Sequence, residues 1–161
     1  MNKTFRAIAT IAALTLSASA FAGTSANLLL RGTVGVINDI SIATIGSNNL
    51  NLDIVNGETS KHVADAQEIS NSASGYKIMM SSVNGGLLIN TTNASQFTGY
   101  TISYDGAAAA AVTTVPTQVK NVASLASLSI VQSEVRVNVD ALPTALAGNY
   151  EDTVTFSIVA N

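Results

Sequence analysis

From Asn27 to Val36 the chain reads N-L-L-L-R-G-T-V-G-V. Leu28, Leu30, Gly32, Val34 and Val36 share one face at period two, and Asn27, Leu29, Arg31 and Thr33 share the other. That is the alternation of a half-buried strand. The same reasoning predicts strands over Asp39 to Ile45, Leu50 to Val55, Tyr76 to Ser82, Leu87 to Asn90, Tyr100 to Tyr104, Leu125 to Val131, Val135 to Val139 and Thr153 to Val159. Between them stand Gly46-Ser47-Asn48-Asn49, Asn56-Gly57, Asn84-Gly85-Gly86, Asp105-Gly106 and Ala147-Gly148-Asn149, residues that accept positive φ and so predict tight turns. No stretch after residue 22 carries a sustained helical stripe. The helical start at Ala107 to Ala111 is stopped by Val112, Thr113, Thr114, Val115 and Pro116, leaving Ala107 to Ser124 as a loop with one strand at most. Short strands joined by turns over this length predict an all-β fold, an antiparallel two-sheet β-sandwich of immunoglobulin-like architecture, although the Cys pair and Trp of immunoglobulin domains are missing.

The first 22 residues follow a different pattern. Lys3 and Arg6 make a basic start, Ala7 to Leu16 an apolar run, and Ala20-Phe21-Ala22 a small-x-small cleavage site. This is the layout of a secretory signal peptide, and the apolar run is far short of the roughly 20 residues that span a bilayer. The mature chain is therefore expected to be exported and to hold no membrane-spanning segment.

Composition changes the picture in two ways. The 161 residues include no Cys, so nothing covalent locks the fold, and added stability has to come from packing or from association with other chains. The formal charge is −3. Removing the leader takes two of the seven basic residues and none of the ten acids, and a chain with five bases against ten acids is a poor partner for nucleic acid.

Catalytic chemistry finds little footing. Without Cys and with one His there is neither a thiolate nucleophile nor a multi-His metal site, and no cofactor is expected. His62, in Ser60-Lys61-His62-Val63, reads as a surface or loop residue because no nucleophile elbow accompanies it. Glu151-Asp152 reads as a hydrophilic strand start, since the alternating acidic pattern of a calcium loop is absent.

The two ends and the middle carry a resemblance. The last stretch, from Ala147-Gly148-Asn149 through Val154-Thr155-Phe156-Ser157-Ile158-Val159-Ala160-Asn161, is a glycine turn followed by an alternating strand. It resembles the C-terminal strand of fimbrial subunits assembled by the chaperone-usher pathway. Gly148 falls where that family places a glycine, while penultimate Ala160 departs from the aromatic residue usual there. Ser74 to Ser82 with Asn84-Gly85-Gly86-Leu87, and Gly99 to Gly106, are similar to the central strands of cysteine-free colonisation-factor pilins and of spore-coat-U-like exported domains.

The resemblance implies a sandwich lacking one strand, completed in trans by the N-terminal extension of a neighbour through donor-strand complementation. On that basis residues 1–22 are a signal peptide, 23–36 a donor-strand extension with Leu28, Leu30, Gly32 and Val34 as alternate pegs, and 37–161 the β-sandwich. Gly148, Val154, Phe156 and Ile158 would belong to the C-terminal strand that meets a chaperone or a donor. The implied role is a non-enzymatic structural subunit of a bacterial surface fibre or coat, passing through the periplasm to the cell surface. Its partners would be further copies of itself or related pilins, a periplasmic chaperone and an outer-membrane usher. From period two alone, Asn27 to Val36 fits equally the first strand of a self-complete sandwich. A second class of function is a secreted monomeric binding module for carbohydrate or receptor. The aromatic residues available to such a surface are Tyr76, Phe97, Tyr100, Tyr104, Tyr150 and Phe156.

Overall fold

A computed structural model of the chain describes residues 25–161, and the expected signal peptide lies outside them. Residues 25–33 hold no secondary structure and belong to a different unit from Val34–Asn161, which is compact. All regular structure in the described residues is strand: β1 Asn38–Thr44, β2 Glu58–Ser70, β3 Tyr76–Ser82, β4 Leu87–Asn90, β5 Phe97–Tyr104, β6 Ala110–Ala111, β7 Thr117–Val122, β8 Ser129–Val139, β9 Tyr150–Glu151 and β10 Val154–Ala160.

Every pairing is antiparallel. One sheet runs β1-β2-β8-β5-β4-β9 with β6 added beside β5, and the other runs β10-β3-β7. Their inner faces share one core, in which Ala66, Tyr104 and Val135 of the larger sheet meet Tyr76, Ile78 and Met80 of the smaller. The expected all-β, antiparallel two-sheet sandwich is the fold.

Strand by strand the structure departs from the sequence reading in instructive places. The longest strand, β2, is not among the predicted ones, because its inward line is Ala64, Ala66, Glu68 and Ser70, small or polar residues that are buried all the same. The two strands predicted over Leu125 to Val131 and Val135 to Val139 are one, β8. Ser133, which looks like an interruption, is buried and bonded to Glu68. Leu50 to Val55 forms no strand: Asp53 turns its carboxylate on the Asn56 amide at 2.9 Å, closing a local turn, while Leu52 and Ile54 pack on the core edge. Asn27 to Val36 forms no strand either. The Ala107 to Ser124 loop holds β7 and the two-residue β6.

The glycines of the predicted turns take positive φ, and so does Gly75, whose turn is not among the predicted ones. Gly75 has φ 77°, and a Cβ there would stand 1.8 Å from the Val122 carbonyl oxygen, so the β2–β3 turn is closed to every other residue. Gly46 has φ 54° but open space around it. Gly75→Ala should therefore cost at least about 2 kcal/mol, and Gly46→Ala only about 1 kcal/mol. Urea unfolding is expected to show a lowered midpoint for the first, with an unchanged slope.

Candidate functional site

Both sheets end in a strand with one free edge, and two of those edges lie close to each other. Among the described residues, β1 is hydrogen-bonded only to β2, and β10 only to β3. Cα atoms of β1 and β10 come within 8 Å, yet among the described residues no backbone ladder joins them. Between them runs a groove of about 230 Å³ whose walls include Ile42, Leu52, Leu88, Val137, Val154 and Phe156. At its lower end it shares Leu52 and Leu88 with a wider cleft of about 830 Å³ between the segments Asn49–Ile54 and Gly148–Thr153.

The groove leaves its lining half covered. On the inner strand β3, the inward residues Tyr76, Ile78 and Met80 are at most 1% exposed. On β10 the inward line Val154, Phe156 and Ile158 is only partly buried, and on β1 Ile40 packs on the core while Ile42 is 44% exposed. These residues face the core but have a sheet neighbour on one side only. A sandwich closed between β1 and β10 would bury them fully.

The expected sites fall as follows. Val154, Phe156 and Ile158 sit together on the groove side of β10, with the Phe156 ring 5.5 Å from that of Tyr104. Gly148 lines the wider cleft at φ 143°, where a Cβ would stand 2.7 Å from the buried Asn90 amide nitrogen. Leu28, Leu30 and Val34 are 82–85% exposed, and Gly32 has nothing within 4 Å of where a Cβ would stand.

Two polar clusters escaped the sequence reading. Glu68 on β2 is fully buried and accepts hydrogen bonds from Tyr76 Oη (2.6 Å), Tyr104 Oη (2.6 Å) and Ser133 Oγ (2.7 Å), with Lys120 Nζ at 3.1 Å. Lys120 also pairs with Asp105 at 2.8 Å. Burial pushes the Glu68 carboxyl up, but these four donors outweigh it and hold the group below the ordinary value near 4.5. Burial, and then the bond to the carboxylate, push both phenols well above their ordinary range. The second cluster is Asp152, between β9 and β10, which accepts from Ser82 Oγ (2.6 Å), Tyr100 Oη (2.7 Å) and the amides of Asn84 (3.0 Å) and Thr153 (2.7 Å). Asp152 thus fixes the point where the chain changes sheets, a role that a hydrophilic strand start does not describe.

His62 sits on β2 beside a bulge rather than in a loop, with Nε2 2.8 Å from Asp65 Oδ1. No group of three His, Cys, Asp or Glu among the described residues is placed to hold a metal ion. No described helix is long and apolar enough to cross a membrane.

No family model matches the chain, and neither does any curated protein. Among solved structures it is similar to the CooA pilin subunit from enterotoxigenic Escherichia coli, at 13% identity over 76% of this chain and 89% of that one, with a TM-score of 0.39. That likeness is too distant to bear on function.

Because the native state holds the Glu68 carboxyl below its ordinary value, its contribution to stability is present above pH 4.5 or so and lost as the pH falls through the lowered value. Glu68→Gln should cost about 3 kcal/mol at pH 7, since Lys120 loses a buried partner, and its gap to wild type should narrow below about pH 4. Urea titrations at a series of pH values test this. Phe156→Ala should cost about 2 kcal/mol, less than the 3–5 kcal/mol of a fully buried ring, because the groove already leaves it partly open.

Proposed function

We propose that this chain is an exported, non-enzymatic structural subunit of a bacterial surface fibre, assembled by donor-strand exchange. The carrying observation is the pair of unpaired edges, β1 and β10, flanking half-covered core residues. An edge of this kind invites pairing with another chain. A strand laid between the two edges would meet free main-chain donors and acceptors on both sides, and would cover Ile42, Val154 and Phe156 with every second side chain.

The occupant that fits is residues 27–36 of a second copy. Those residues carry exposed apolar side chains at period two, form no strand of their own, and reach about 33 Å when extended, more than the seven residues of β10. Leu28, Leu30, Gly32 and Val34 would be the alternate peg positions, three of them carrying an apolar side chain. Burial of three such side chains contributes roughly 1.5–3 kcal/mol each before hydrogen bonds are counted. A strand between two neighbours needs about 9.5 Å, so insertion has to part β1 and β10 where they lie within 8 Å. Before assembly the groove would need a covering strand from a periplasmic chaperone, with an usher in the outer membrane as the exit.

The reading as a monomeric binding module has less support. Tyr76, Tyr100 and Tyr104, which would form a sugar-stacking platform, are buried, and their hydroxyls are spent on Glu68 and Asp152.

Leu30→Asp places an unpaired carboxylate on a peg, at a cost of several kcal/mol in an apolar groove. Co-expressed with wild type, the variant should fold, accept a neighbour's strand and end the chain, giving shorter fibres by electron microscopy. Fibres of normal length carrying less folded variant would refute donor-strand exchange.

A further inference from the structure

The proposed exchange raises a question of direction, since each chain carries both a groove and a segment able to fill it. We infer that Asn71 sets the choice, holding the root of the N-terminal extension in line with β1 so that residues 27–34 are presented to a neighbour and not folded back into their own groove. The inference rests on the donor-strand reading.

The β1–β2 ladder pairs Asn38 with Ser70, and one step further would pair Ile37 with Asn71. That step is present: the Asn71 amide donates to the Ile37 carbonyl at 3.2 Å. Beyond it the main chain of β2 is no longer available, because residues 72–75 turn toward β3, with the Gly75 amide bonded to the Ser72 carbonyl at 2.8 Å. The Asn71 side chain takes over. Its Oδ1 accepts from the Ile37 amide at 2.7 Å, and its Nδ2 donates to the Gly35 carbonyl at 2.8 Å. A primary amide offers a carbonyl acceptor and N–H donors, and the one acceptor and one donor used here match those of a peptide unit, so this side chain prolongs the ladder past the end of the strand that built it.

The consequence is geometric. The groove lies on the side of β1 opposite β2, so self-insertion requires the chain to reverse just before Asn38 and return along the free edge of β1. A reversal within residues 35–38 turns the Gly35 carbonyl and the Ile37 amide away from Asn71 and breaks both side-chain bonds. Sequence offers that turn no other obstacle: Gly35 tolerates any φ, and nothing lies within 4 Å of where its Cβ would stand. Asn71 is thus a positioning residue for donation that plays no part in acceptance.

The test uses the full chain, exported and purified, with size-exclusion sizing and the uptake of a fluorescent peptide of residues 25–36. Wild type should polymerise and take up peptide at its free ends. Asn71→Ala should stay folded by circular dichroism, shift toward monomers by about tenfold, and take up peptide about tenfold less because its own strand occupies the groove. Adding Leu30→Asp to Asn71→Ala should restore uptake by expelling that strand. Asn71→Asp, which keeps the acceptor for Ile37 and loses the donor to Gly35, should shift in the same sense by less, and serves in place of the alanine variant should that one misfold. Polymerisation of Asn71→Ala at the wild-type level overturns the inference, as does loss of polymer with peptide uptake unchanged. If wild type itself neither polymerises nor takes up peptide, the donor-strand reading falls, and this inference with it.

Discussion

A carboxylate removed from water has to be met by donors from several directions at once, and in this protein that demand falls on Glu68. Its donors come from β3, β5, β7 and β8, so strands of both sheets converge on one group of β2. The two tyrosines reach it from opposite sheets, which fixes how far apart the sheets stand and how they are staggered. Two stacked apolar faces would tolerate sliding; a charge with four specified donors does not. In a chain without cysteine this network is the cross-link that holds the layers in register.

The contrast with the β1–β10 side of the molecule is the basis of the functional reading. Around Glu68, core residues have neighbours on all sides. Between β1 and β10 they lack one, and Ile42, Val154 and Phe156 stay partly uncovered. Asp152 ties the start of β10 to the end of β3 and to Tyr100, which pins the near wall of the groove to the inner strand. Asn71 instead bonds the root of the N-terminal extension, just before the start of β1. The β10 wall is thus held to β3 by side-chain bonds as well as by its ladder.

Much of this was legible in the chain. β10 alternates apolar and polar residues, β3 keeps Tyr76, Ile78 and Met80 on one side, and the glycine turns fall where positive φ is found. Inward residues in this fold are not all apolar. β2 hides behind Ala64, Ala66, Glu68 and Ser70, and β8 was split at Ser133 for the same reason, since a polar residue whose partner is distant in sequence looks like a solvated one. Leu50 to Val55 erred in the other direction: it has the composition of a strand but no partner, and the Asp53 side chain closes a turn instead.

The sequence by itself determined the class of fold, the turns, the inward line of β10 and the sided pattern of residues 27–36, because each depends on residues a few positions apart. Only the tertiary structure decided that Glu68 is a buried anchor, that β1 and β10 face each other unpaired, and that Asn71 extends a ladder. Each of these joins groups more than thirty residues apart along the chain or leaves an edge without a partner. The physical reason is that periodicity records which side of a strand is apolar, whereas hydrogen-bond partnership, and its absence at an edge, is a property of neighbours brought together by folding.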